Sequence, residues 1–81
     1  MPTIHRLQSI KIDVYGGEHL PPHFHALYAE HEILIEILTL STYKGYLPVS
    51  QYRKVIEWAK GPNVMNVVLD NFYRLNPRLR K

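Results

Sequence analysis

Apolar residues alternate along the first half of the chain and recur at intervals of three and four along the second, with the change near residue 45. Ser9 to Tyr15 sets Ile10, Ile12 and Val14 on one side and Lys11, Asp13 and Tyr15 on the other, the period of a half-buried strand. Gly16-Gly17 ends it, because glycine takes the positive φ that a turn requires. Leu20-Pro21-Pro22 is held extended, since each proline fixes its own φ and restricts the residue before it. A second strand, His23 to Ala29, sets Phe24, Ala26 and Tyr28 against His23, His25 and Leu27. Glu30-His31 suits a hairpin connection. Glu32 to Leu38 then reads as a third strand, with Ile33, Ile35 and Ile37 opposite Leu34, Glu36 and Leu38.

Pro48 stands where the first turn of a helix tolerates a missing donor. Val49, Tyr52, Val55, Ile56 and Ala59 follow it as a helical stripe, and Gly61-Pro62 stops that helix. Asn63 suits the N-cap of a second helix, whose stripe is Met65, Val68, Leu69 and Phe72 and which Pro77 closes. The expected fold class is α+β: a three-stranded antiparallel sheet with two C-terminal helices packed on one face. One domain over residues 1–76 and a frayed basic tail over 77–81 follow from this pattern. The core would hold Ile10, Ile12, Val14, Phe24, Ala26, Ile33, Ile35, Ile37, Val55, Ile56, Ala59, Met65, Val68, Leu69 and Phe72. The opposite sheet face would carry Lys11, Asp13, Tyr15, His23, His25, Leu27, Leu34, Glu36 and Leu38. Three leucines among those polar groups mark a candidate contact surface.

Composition narrows the classes. The chain has 81 residues, 46% hydrophobic and 21% charged, an ordinary globular balance. With no cysteine, disulfides, thiolate metal sites and thiol nucleophiles fall away. No apolar run reaches the ~18 residues of a spanning helix, and the start, Met-Pro-Thr-Ile-His-Arg, lacks the pattern of a signal peptide, so a cytoplasmic location is expected. A chain this short buries only about 60% of its unfolded surface, which points to an oligomer, a dimer first of all, or a protein partner.

The net charge of +3 conceals a division. Residues 1–40 hold Arg6 and Lys11 against Asp13, Glu18, Glu30, Glu32 and Glu36, a net −3. Residues 41–81 hold eight basic residues against Glu57 and Asp70, a net +6. All five histidines lie in the acidic half.

Glu18-His19-Leu20-Pro21-Pro22-His23-Phe24-His25-Ala26 is the most unusual stretch. Histidines at i and i+2 of a strand project from one face, where both rings can converge on an ion or an anion. Imidazole is the commonest metal ligand and also serves acid–base work, so His23 and His25 are the catalytic candidates. His19, His23 and His25 are the metal candidates. A His-x-His pair supplies only two of the three or four ligands that zinc takes. His19, Glu18, Asp13 or Glu36 completes the set only if the turn folds back over the sheet. A divalent metal is therefore a cofactor reading that the pattern allows without favouring.

Met1-Pro2-Thr3-Ile4, Pro22-His23-Phe24-His25-Ala26 and Val55-Ile56-Glu57-Trp58 together resemble domain-of-unknown-function family 4160, short and mostly bacterial proteins. The resemblance spans almost the whole chain. Such proteins are often encoded beside a second small domain of unknown function, which implies a transcriptional regulator or one member of a toxin–antitoxin-like pair. The resemblance brings no assigned activity or catalytic residue. The turn that the family commonly places before Pro-Pro is acidic or glycine-containing; here Glu18-His19-Leu20 fills it.

Two functions compete. One is a small interaction module that pairs with itself or with a small protein encoded nearby. The other is a small enzyme acting on RNA, in which His23 and His25 exchange protons at the 2′-hydroxyl and the leaving oxygen, with Lys44 or Arg53 neutralising the phosphate. Lys44, Arg53, Lys54, Arg78 and Arg80 are the nucleic-acid candidates, although no nucleic-acid-binding motif accompanies them. Whether the chain is an enzyme is left open at this point.

Overall fold

The alternation over residues 10–37 becomes the middle of a larger sheet. A computed structural model describes residues 3–79. These form five strands, β1 (Thr3–Leu7), β2 (Ile10–Asp13), β3 (His23–Tyr28), β4 (His31–Glu36) and β5 (Thr42–Gly45), then helices α1 (Val49–Ala59) and α2 (Val64–Leu75) and a 3-10 turn at Pro77–Leu79. The sheet order is β1-β2-β3-β4-β5, with every pair antiparallel. The fold is α+β with two helices, as expected, but the sheet has five strands rather than three.

Both additional strands are edges, and this explains their weak sequence signal. In β1 a bulge between Thr3 and His5 breaks the register, so Ile4 and Leu7, three apart, both reach the core. In β5 all four residues are exposed, so no buried side imposes an alternation. The β3–β4 turn is Ala29-Glu30 rather than Glu30-His31. Ala29 takes a left-handed φ of 52° and His31 begins β4.

The helices cover the face that carries Ile10, Ile12, Phe24, Ala26, Ile33 and Ile35, with Val55, Ala59, Val68 and Phe72 buried against them. Leu47, ahead of α1, joins this core. Met65 does not, being 39% exposed, because the buried face of α2 is centred on Val64, Val68, Phe72 and Leu75. Ile56 and Leu69 pack against the core half-buried. Trp58 stands edge-on to Phe24 and stacks on His5. Asn63 holds the predicted N-cap position but lies at φ 65°, and its Oδ1 accepts from the Asn66 side chain instead of a helix N–H. Pro77–Leu79 forms a 3-10 turn with Leu79 packed against the core. Arg80 and Lys81, like Met1 and Pro2 of the N-terminal motif, lie outside the described residues. Among the described residues no helix is long and apolar enough to cross a membrane.

Gly45 fixes how closely β5 approaches β4. It lies at φ +79°, and a Cβ there would stand 2.2 Å from the Glu32 carbonyl oxygen. Gly45→Ala therefore has to strain its backbone or part the strands. The expected loss is about 2 kcal/mol or more, seen in thermal unfolding as a fall on the order of 10 °C. An unchanged melting temperature would contradict this pairing.

Candidate functional site

Central strands covered on both faces usually carry apolar side chains on both. β3 departs from that. Phe24 and Ala26 enter the core on the helix side, while His23 (2% exposed) and His25 (9% exposed) are buried on the other. The segment between β2 and β3 covers them, with Tyr43 and Phe72 also packed against the His23 ring. Gly16 and Gly17, the latter at φ 74°, turn the chain back across the sheet, so the fold-back that the ligand set requires is present. A Cβ on Gly16 would meet the Leu75 carbonyl oxygen at 3.2 Å, so the turn runs tight against the end of α2.

The ring nitrogens are placed by four contacts. His23 Nδ1–H donates to the Pro21 carbonyl at 2.9 Å, an oxygen that can only accept. His25 Nδ1–H donates to Glu32 Oε2 at 2.8 Å. With both Nδ1 atoms committed, both Nε2 atoms point at one group: His23 Nε2 lies 3.1 Å from Glu18 Oε1, and His25 Nε2 lies 2.9 Å from Glu18 Oε2. A carboxylate oxygen only accepts, so an Nε2 without a proton faces it lone pair to lone pair. The ligand atoms of Glu18, His23 and His25 all lie within 4.8 Å of one another. The Tyr43 ring packs on His23 at 5.2 Å, and Tyr15 meets His25 edge-on at 4.5 Å.

Asp13, fully buried, anchors the adjoining strand. Its Oδ1 accepts from the Thr3 hydroxyl at 2.8 Å and its Oδ2 from the Tyr15 hydroxyl at 2.9 Å, with Lys11 Nζ at 3.6 Å. Partial burial, the bond to Asp13 and the nearby carboxylates push the Tyr15 phenol up to about 12. At neutral pH Tyr15 is thus a fixed donor and not a base.

The other candidates disperse. His19 is exposed and is no part of the Glu18–His23–His25 group. Glu36 pairs in register with His23, but its carboxylate accepts from Thr39. Lys44 is exposed and shares a cross-strand row with Leu34 and His25. Arg53 and Lys54 stand on α1, which covers the opposite face, with Lys54 Nζ donating to Gln8 Oε1. Arg78 donates to the Glu18 carbonyl, and Arg80 lies outside the described residues. Glu32 was not among the sequence candidates. Its signal was the hairpin register, which sets it diagonal to His25 on one face.

Residues 9–61 match the family described as Domain of unknown function (DUF4160). No curated protein and no solved structure matches the chain.

Tyr15→Phe removes one hydrogen bond to a buried carboxylate and should cost about 2 kcal/mol in urea unfolding. Folding raises the phenol's pKa, so the stabilisation linked to it is whole below the ordinary pH 10 and lost as pH climbs through about 12. Near-ultraviolet absorbance should accordingly show one tyrosine ionising late. A variant as stable as the parent would count against the Tyr15–Asp13 contact.

Proposed function

This chain belongs to the DUF4160 family, and we propose that it binds a divalent transition-metal ion through Glu18, His23 and His25. One observation carries the reading: both histidines spend Nδ1–H on outer acceptors, Pro21 O and Glu32, and so direct both Nε2 lone pairs at the two oxygens of a single carboxylate. A carbonyl or carboxylate on the far ring nitrogen is the support that metal-ligating histidines use to fix tautomer and orientation. The spacings agree with it. Zinc bonds of about 2.1 Å in a tetrahedron separate ligand atoms by about 3.4 Å; the two carboxylate–Nε2 spacings of 3.1 and 2.9 Å lie near this, and the ligand atoms as a set lie within 4.8 Å of one another. The charge agrees as well, because the Glu18 carboxylate faces both Nε2 atoms and attracts a cation there.

Three protein ligands leave a position for water or another ligand, the arrangement of a catalytic or exchangeable site and not of a closed structural one. Two imidazoles with one carboxylate suit zinc and its first-row neighbours. The RNA-acting reading has less support, since each ring nitrogen already faces a group of the chain itself.

Titration of the purified protein with Zn²⁺ should give one site per chain. Glu18→Gln, His23→Ala and His25→Ala should each weaken it by at least about 100-fold, and Glu32→Gln by about tenfold, as outer-shell losses do. Circular dichroism verifies that each variant is folded. Wild-type binding that survives the double His23→Ala, His25→Ala change would remove the proposal.

A second reading, a small interaction module of the regulator or toxin–antitoxin-like kind, draws on β5. This strand is an unpaired edge with every residue exposed, and Leu38, Tyr43 and Tyr46 (56%, 46% and 64% exposed) lie on or beside it. Light scattering should then give a mass above the monomer that Tyr46→Glu reduces. A strictly monomeric wild type that also captures no small partner protein would end this reading.

A further inference from the structure

Glu18 supplies the oxygens on which the metal reading rests, yet it lies in no strand or helix of its own. Its backbone is held from the far end of the chain. Its N–H donates to Asn76 Oδ1 at 2.9 Å, and its carbonyl accepts from the Arg78 guanidinium at 2.8 Å. Asn76 is fully buried at the end of α2 and commits its amide nitrogen to the Tyr15 and Phe72 carbonyls, each at 2.9 Å. One side chain thus ties the Gly16-Gly17 turn at Tyr15 on one side and at Glu18 on the other. Both Asn76 and Arg78 lie beyond the family match over residues 9–61.

We infer that Asn76 and Arg78 are positioning residues for the Glu18 ligand, so that docking of the C-terminal segment and capture of the metal are one coupled event. This rests on the metal reading above. The coupling is reciprocal by thermodynamic linkage: whatever docking adds to metal affinity, bound metal returns to docking. A partner or modification that draws Arg78 away would therefore lower metal affinity without touching a ligand.

Arg78 is exposed, so Arg78→Ala removes the bond to Glu18 without opening the core. In metal-free protein, the ¹⁵N signals of His23 and His25 Nε2 should shift toward those of Glu18→Gln while the melting temperature stays near wild type. Zn²⁺ affinity, read by competition with a chromophoric chelator, should fall about tenfold, the lower end of outer-shell effects. Arg78→Lys, which can still donate to the Glu18 carbonyl, should restore much of it. In the wild type, Zn²⁺ should slow amide exchange over residues 76–79, and in Glu18→Gln it should not.

Unchanged imidazole signals together with wild-type affinity in Arg78→Ala would overturn the inference and leave the metal reading standing. Shifted imidazole signals in a protein that binds no Zn²⁺ would do the reverse, keeping the positioning of Glu18 and removing the metal.

Discussion

A polar strand face buried beneath its own preceding turn is the constraint from which the rest of this architecture follows. Once His23 and His25 are withdrawn from water, each ring nitrogen needs a partner, because an unmet buried polar atom costs about 1–3 kcal/mol. The chain meets every such demand: among the described residues no buried side-chain nitrogen or oxygen lacks a hydrogen bond. Pro21, Glu18 and Glu32 supply the partners, and each arrives by a backbone device. Pro21-Pro22 leads straight into β3 and presents the Pro21 carbonyl, Gly16-Gly17 returns Glu18 across the sheet, and the Ala29-Glu30 turn sets the register of Glu32.

What could be read from the sequence was what is buried on one side and paired locally. Ile10 to Ile37 alternate because the helices cover one face, so their strands were legible. The exposed edge β5 and the bulged edge β1 carry no such imprint. His23 and His25 were evident as an i, i+2 pair, and Glu18 as a ligand conditional on the turn folding back. Glu32 required the hairpin register, and placing the turn at Glu30-His31 concealed it. Asn76 left no local trace at all, since its contact with Glu18 spans 58 residues. A lone buried asparagine at a helix end reads as a cap until its partner is known.

The charge division of the sequence also acquires a place in the fold. Asp13, Glu18 and Glu32 supply much of the negative first half, and all three stand around the histidines, not on a free acidic surface. Their grouping concentrates negative potential where a cation would sit, the focusing that draws counter-ions into a site. The basic second half meets this region at Arg78, whose guanidinium contacts the Glu18 carbonyl and not one of the three carboxylates.

The meander order has a consequence for the chain during its synthesis. All five strands lie within residues 3–45 and each pairs with its sequence neighbour, so the sheet is assembled from short loops with low closure entropy. The side chains that hold Glu18 come from residues 76 and 78. A nascent chain thus carries its complete sheet, both histidines included, well before it carries the residues that hold Glu18. The hold on Glu18 is completed only by residues that follow the sheet and both helices.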